Sequence, residues 1–176
     1  EYINETKGIW LDNRGMGAGK TKLMAILRKL KKLDRIAYLT HRISLTKNAS
    51  GIMNLDYYND LGYGEGTDGI ALCANSLLKY KVETGGFNVL FLDEFRQILD
   101  HLIDGSVENR QAVWDGLCTA IREADFIVCS DADLNDRCVE FLKQHCGNKK
   151  IHLIEAEEFD TNGKTYHLLK QDNFKS

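Results

Sequence analysis

The chain has 176 residues and a net charge of −3, from 23 basic and 26 acidic side chains, and it contains no proline. At 43% apolar residues, a chain of this length can bury a complete core, so the composition excludes an intrinsically disordered protein and a scaffold held by disulfides. The absence of proline excludes a proline-rich linker. The net charge excludes a bulk affinity for nucleic acid but leaves room for a local basic surface.

The cysteines indicate the compartment. There are five, an odd number, and no two of them form a Cys-x-x-Cys pair. Both features favour buried thiols in a reducing environment over a secreted disulfide framework, so we expect a cytoplasmic protein. No apolar run approaches the roughly 18 residues that a membrane-spanning helix needs.

Six short apolar runs predict β-strands. They cover residues 8–12, 35–40, 70–74, 89–93, 126–130 and 151–155. Most are apolar throughout, which is typical of parallel strands that are covered on both faces. Helical spacing of apolar residues alternates with these runs, over 107–124 and again from 134 to about 145. The alternation predicts an α/β fold with a mostly parallel sheet.

The first helix is predicted directly after the strand at 8–12. Its apolar residues recur every three or four positions, so we expect one stripe to face the core. The stripe consists of Leu23, Ile26, Leu27, Leu30 and Leu33.

Two further segments lack a regular pattern. Residues 54–69 contain four glycines and no apolar periodicity, which predicts a long loop. A polar run begins at Glu157 and precedes the sequence TYHLL, and it fits either a hairpin or a connection to a further segment.

The segment between the first strand and the first helix reads NRGMGAGKT, from residue 13 to residue 21. A phosphate-binding loop needs glycines whose N–H groups turn inward, a lysine for the β- and γ-phosphates, a hydroxyl for Mg²⁺ and a helix N-terminus behind it. This segment supplies all four, so it predicts an ATP site. The predicted phosphate ligands are Gly15, Met16, Gly17, Ala18, Gly19, Lys20 and Thr21, where Lys20 also acts in catalysis and Thr21 also holds Mg²⁺.

This segment departs from the usual pattern at one position. Arg14 stands where the pattern Gly-x-x-x-x-Gly-Lys-Ser/Thr begins with glycine, so we expect the first turn of the loop to differ. The competing interpretation is a glycine-rich turn that precedes lysine and threonine by chance. The strand before the loop and the helix after it favour the phosphate site.

A pair of acidic residues ends the apolar run VLFLDE, from 89 to 94. Ligands of open α/β sheets bind at the carboxyl ends of the strands, so Asp93 is expected near Lys20 as a Mg²⁺ ligand. Glu94 is the candidate base that orients and deprotonates the attacking water. The alternative is a helix whose first turn carries acids because they complement the helix dipole. Paired acids beside a phosphate loop favour hydrolysis over binding alone.

The sequence SDADL follows the strand at 126–130. One interpretation places Ser130 and Asp131 beside the γ-phosphate, where they would respond to its loss. The other is that Asp133 or Asn135 caps the helix that follows.

Five motifs stand in a known order: RGMGAGKT, THRISL (40–45), NSL (75–77), VLFLDEF and CSDADLNDR. Over residues 8–145 this order resembles the first RecA-like domain of superfamily 2 helicases. It is most similar to the replication-origin-binding helicases, typified by the herpesvirus origin-binding protein and its phage and plasmid relatives. The resemblance implies a P-loop NTPase with a RecA-like three-layer sandwich over 1–155, followed at 156–176 by an extension or a connection. It also implies that strand 126–130 lies between strands 8–12 and 89–93.

The resemblance implies an ATP-dependent motor that acts on DNA, expected to be single-stranded, in a bacterial, phage or plasmid context. Arg42, Ser44, Asn75 and Ser76 would contact the nucleic-acid backbone, which suits a guanidinium and short polar side chains. The alternative is that these residues are helix caps and a surface charge.

A coupling role is also predicted. Arg96 departs from the residues that commonly follow the acidic pair, and we expect it to pair with Asp131 or Asp133 and so to connect two loops. Arg96, Ser130 and Asp131 would then transmit the state of the nucleotide.

Nothing after residue 151 resembles a second RecA-like domain, which in this family supplies an arginine to the nucleotide cleft. An arginine of this kind accelerates hydrolysis by about three to five orders of magnitude, so we expect the chain alone to bind ATP and to hydrolyse it slowly. Two other hypotheses remain open: a stand-alone P-loop ATPase switch or assembly ATPase that does not act on DNA, and a nucleotide-binding module whose acidic pair is inert.

Overall fold

The computed structural model describes residues 7–15, 17–61, 68–79, 86–156 and 166–169. Eight strands in these ranges form one sheet, and six of them closely match the predicted apolar runs. The strands are β1 (Gly8–Asp12), β2 (Ile36–Thr40), β3 (Asp56–Tyr57), β4 (Gly69–Cys73), β5 (Val89–Asp93), β6 (Phe126–Ser130), β7 (Ile151–Ala156) and β8 (Tyr166–Leu169).

Helices cover both faces of this sheet. They are α1 (Lys20–Lys31), α2 (Ile43–Met53), α3 (Phe95–Asp104), α4 (Arg110–Glu123) and α5 (Asp136–His145), together with a 3-10 helix (Ala74–Lys79). On one face, Met24 of α1 and Met53 of α2 pack against strand side chains such as Phe91. On the other face, α3, α4 and α5 bury residues such as Ile98 and Leu117. The result is a three-layer α/β sandwich.

The strand order is β3-β4-β2-β5-β6-β1-β7-β8. All neighbouring strands run parallel except β8, which is antiparallel to β7. Strand β6 lies between β1 and β5, as the resemblance implies. In this register Ser130 pairs with both Asp12 and Asp93, so three polar residues stand side by side at the carboxyl edge of the sheet.

Part of the predicted loop at 54–69 is a strand. Asp56–Tyr57 pairs in parallel with β4 at the sheet edge, and two residues are too few to give a periodic pattern. Residues 62–67 of that prediction lie outside the described residues. Of the two interpretations for the C-terminal segment, the antiparallel pairing of β7 with β8 fits a hairpin.

The orientation predicted for α1 is wrong for two residues. Ile26 is 53% exposed and Leu30 is 73% exposed, whereas Met24 and Leu27 are buried. Spacing gives the helical period but not the direction of contact, because α1 packs against both the sheet and α2. The buried face is therefore rotated toward Met24.

The ends of two helices also differ from their predicted positions. Helix α4 begins at Arg110 rather than at 107, after Asn109 in a left-handed conformation with φ of 52°. Helix α5 begins at Asp136 because the Asn135 side chain caps it, accepting from the backbone N–H of Cys138 at 3.2 Å.

All five cysteines are buried and free, as predicted. None of the helices in the described part of the chain is long and apolar enough to cross a membrane.

Candidate nucleotide-binding site

The glycine-rich loop lies at the carboxyl end of β1 and leads directly into α1. Gly17 and Gly19 both have φ of 74°, a left-handed conformation that favours glycine. A Cβ atom placed on Gly15, Gly17 or Gly19 would meet no atom within 4 Å. The loop therefore borders open space, and a phosphate group can approach its backbone. Met16 lies outside the described residues.

Lys20 and Thr21 occupy the first turn of α1, where free backbone N–H groups attract anions. The Lys20 ammonium donates to the backbone carbonyl of Arg14 at 2.6 Å, so its charge lies over the loop. The Thr21 side chain is half-buried and lies near the Tyr38 hydroxyl from β2. Both predicted ligands thus face the same end of the sheet.

Arg14 begins the loop with an ion pair instead of a glycine turn. Its guanidinium binds both carboxylate oxygens of Asp12, at 2.6 and 2.5 Å, and its backbone N–H donates to the same carboxylate at 3.2 Å. Arg14 is only 7% exposed and Asp12 1%. The missing glycine was predicted from the sequence and this pair was not, although an aspartate that ends a buried strand needs a partner.

Because both charges are buried, we expect Arg14→Met to leave Asp12 unpaired and to lower the free energy of unfolding by about 3–5 kcal/mol. Urea unfolding followed by circular dichroism measures the change. Arg122→Met, at an exposed position of α4, is the matched control and should change stability by less than about 0.5 kcal/mol. The double variant Asp12→Asn with Arg14→Met should regain part of the loss. If Arg14→Met is as stable as the wild type, the ion pair does not stabilise the fold.

Asp93 is held by two hydroxyl donors. The Ser130 hydroxyl donates to one carboxylate oxygen at 2.5 Å and the Tyr38 hydroxyl donates to the other. Burial, together with the negative charge of Asp93, raises the pKa of Tyr38, so the phenol stays protonated and can donate. Tyr38 was not predicted as a site residue. The available signal was a tyrosine within the apolar run IAYLT, since a buried phenol needs a hydrogen-bond partner.

Glu94 follows Asp93 and directly precedes α3. Its backbone has φ of 55°, and its side chain makes no capping hydrogen bond to the helix. Glu94 Oε2 lies 3.3 Å from Nδ1 of His41, the residue that follows β2. Burial raises the pKa of Glu94, and Asp93 and Asp131 add to this shift while Arg42 and Lys20 oppose it. A half-buried carboxylate with a raised pKa accepts a proton more readily than an exposed one.

Asp131 connects three loops at this edge. Its carboxylate accepts from the backbone N–H groups of Arg96 and Asp133, each at 3.0 Å, and its own N–H donates to the Asp12 carbonyl at 3.2 Å. The Arg96 guanidinium lies 3.9 Å from Asp133, one of the two predicted partners. The Asn13 side chain accepts from the N–H of Leu134. The loop after β6 is therefore bound to the phosphate loop and to the start of α3.

The predicted nucleic-acid residues follow two neighbouring strands, β2 and β4. Arg42 precedes α2 and is exposed, as are Ser44 and Asn75, whereas Ser76 in the 3-10 helix is half-buried. Neither Thr40 nor Ser44 caps α2, because Arg42 holds the capping position and makes no side-chain capping hydrogen bond there. Asn75 Oδ1 lies 3.1 Å from His101 Nε2. The four residues are thus brought to the same sheet edge as the phosphate loop.

The residues present fit a magnesium ion bound together with a nucleotide. In such sites the protein contributes one or two oxygen ligands, and phosphates and water supply the rest. The Thr21 hydroxyl and the Asp93 carboxylate both approach Tyr38, so they lie close together. Among the described residues, no group of three or more histidines, cysteines or carboxylates could hold a metal by itself.

No protein-family description matches the chain. An uncharacterised protein of Picosynechococcus sp. is 30% identical over 144 residues, which are 72% of this chain; the chain spans only 14% of that protein's length.

The solved structures that share the fold include two examples. One is a hypothetical ATP-dependent RNA helicase from Sulfolobus tokodaii, with a TM-score of 0.55 and 14% identity over 86% of this chain and 48% of that one. The other is a variant of S. cerevisiae Dbp5 bound to Nup159, Gle1, IP6 and ADP, with a TM-score of 0.59 and 15% identity over 86% of this chain and 44% of that one. The chain therefore has the α/β fold of the RecA-like P-loop domains found in helicases.

Proposed function

We propose that this chain is the ATP-binding and ATP-hydrolysing motor domain of a DNA helicase of the replication-origin-binding kind. One observation carries the proposal: the glycine-rich loop and the Asp93–Glu94 pair lie at the same edge of the sheet, on either side of β6. A loop alone would support nucleotide binding. A carboxylate pair beside it supports hydrolysis.

The residues divide the chemistry among them. Lys20 and the loop N–H groups bind the phosphates, and Lys20 stabilises the charge that develops on the γ-phosphate. Thr21 and Asp93 would hold Mg²⁺, which neutralises phosphate charge when bound. Ser130 and Tyr38 fix the Asp93 carboxylate by hydrogen bonds. Glu94 orients a water molecule and accepts its proton.

Action on nucleic acid is supported by the surface after β2 and β4. Arg42 and Ser44 are exposed at the start of α2, and Asn75 is exposed on the 3-10 helix. A guanidinium, a hydroxyl and an amide are suitable donors to phosphate oxygens. The similar solved structures include one described as an RNA helicase, whereas the motifs THRISL and SDADL resemble those of DNA helicases. We therefore propose that the nucleic acid is single-stranded DNA.

We also propose a second RecA-like domain outside this chain, which would supply an arginine to the cleft. The Picosynechococcus relative extends far beyond the part that matches. The chain alone is then expected to bind ATP but to hydrolyse it slowly. Its hydrolysis rate should be lower by about three to five orders of magnitude than that of the protein in which the arginine completes the cleft.

The experiment is an ATPase assay on the protein that carries this chain, without nucleic acid, with single-stranded DNA and with single-stranded RNA. We expect DNA to give the largest stimulation. Equal rates in all three conditions would favour a stand-alone ATPase switch or assembly ATPase. Stimulation by RNA alone would mean that the protein acts on RNA rather than on DNA.

We expect Arg42→Ala to weaken the binding of single-stranded DNA and to reduce the slope of log affinity against log salt by about 0.7, because one phosphate contact is lost. Fluorescence anisotropy of a labelled oligonucleotide at several salt concentrations measures both changes, and ATP affinity should stay the same. Arg122→Ala, an exposed arginine on α4, is the control. An unchanged salt slope in Arg42→Ala would show that Arg42 does not contact a DNA phosphate.

A further inference from the structure

His41 lies between the proposed DNA contact and the proposed base. Its Nε2 accepts a hydrogen bond from the Arg42 Nε–H group at 2.8 Å. A ring nitrogen that accepts carries no proton, so the imidazole is neutral and its proton is on Nδ1. That Nδ1–H group is 3.3 Å from Glu94 Oε2. The polar contacts therefore run in one direction: Arg42 donates to His41, and the N–H group of His41 lies next to the Glu94 carboxylate.

The contact between His41 and Glu94 is close but poorly aligned. Both atoms are buried, and within the described residues neither makes a hydrogen bond of good geometry. Glu94 stands in a left-handed conformation without a capping bond to α3. Its carboxylate can therefore be displaced with little loss of other interactions.

We propose that His41 is a positioning residue. It couples the binding of a nucleic-acid phosphate at Arg42 to the position of the Glu94 carboxylate. This inference rests on the proposed function. A phosphate oxygen competes with His41 for the Arg42 guanidinium. When Arg42 turns to the phosphate, the ring loses the donor that fixes it, and Glu94 loses its restraint. Without DNA, His41 occupies an oxygen of Glu94 that the attacking water needs.

Two variants separate the two halves of this chain of contacts. His41→Phe keeps a ring but removes both polar contacts, so the rate without DNA should rise and the stimulation by DNA should fall at least about fivefold, the lower end of typical coupling. His41→Asn keeps an N–H donor near the place of Nδ1 and removes the acceptor for Arg42. It should hold Glu94 whether or not DNA is bound, so the rate stays low and unstimulated. His145→Phe on α5 is the control.

The ATPase assay on the protein that carries this chain distinguishes the possible failures. If the wild type does not hydrolyse ATP, the proposed function is wrong. If wild-type activity is stimulated by DNA and both His41 variants keep the same stimulation ratio, the coupling is wrong and the proposed function stands. A merely structural role would lower both rates by the same factor and would leave the ratio unchanged.

A second measurement does not depend on turnover. Nitrogen-15 NMR of the histidine-labelled chain should show His41 protonated at Nδ1 alone, with the signal identified by its loss in His41→Asn. Arg42→Ala should change this signal. A ring protonated at Nε2 in the wild type, or a spectrum that Arg42→Ala leaves unchanged, would overturn the inference.

Discussion

Lys20→Ala should remove most of the affinity for ATP, raising the dissociation constant by at least about tenfold. The physical reason is the loss of charge-assisted hydrogen bonds to the phosphates, which contribute about 1.5–3 kcal/mol each, and 1.4 kcal/mol corresponds to a factor of ten. The Lys20 ammonium donates to a neutral partner, the Arg14 carbonyl, so charged phosphate oxygens can compete for it. Titration of a fluorescent ATP analogue measures the affinity.

Lys22→Ala is the matched control, because Lys22 lies in the same helix turn and is exposed. Its affinity should equal that of the wild type. Circular dichroism of both variants shows whether the fold is kept. Wild-type affinity in a folded Lys20→Ala variant would mean that the loop does not bind phosphate in the proposed way.

Glu94→Gln should abolish most hydrolysis while ATP binding is preserved. Glutamine keeps the size of the side chain but cannot accept a proton, and general-base catalysis contributes about 10²–10⁴ in rate. Hydrolysis under single-turnover conditions, measured beside the binding titration, separates the chemical step from affinity.

Glu108→Gln is a suitable control, because Glu108 is an exposed acid in the segment between α3 and α4, outside the proposed catalytic residues. It should hydrolyse ATP at the wild-type rate. If Glu94→Gln also keeps that rate, the acidic pair is inert, and the chain is a nucleotide-binding module rather than a motor.

Much of the fold follows from local sequence patterns. Buried parallel strands are apolar along their whole length, so the six longer parallel strands were predicted to within one residue at each end. The placement of β6 between β1 and β5 came instead from the resemblance, because strand order depends on contacts between distant segments. The exposed Ile26 and Leu30 show the same limit, since spacing does not reveal which side of a helix meets the sheet.

Some residues of the candidate site could be predicted from the sequence, and others could not. Glycines before Lys20 and acids after an apolar run are visible in the sequence because backbone and strand ends place them. The sequence indicates that a buried Asp12 needs a partner, but it does not identify Arg14 as that partner or predict the His41–Glu94 contact, since both depend on side-chain direction in a folded sheet. Tyr38 belongs with them, because its role requires β2 and β5 to be neighbours.

The pairing of β1 has a consequence for the order in which the protein forms during synthesis. Strand β1 hydrogen bonds to β6 and β7, and both are encoded after residue 125. Strand β1 can therefore pair only after β6 and β7 have been synthesised, and contacts that are distant in sequence form slowly. The phosphate loop is thus translated well before β6 and β7, and it reaches its final position only after both have been synthesised.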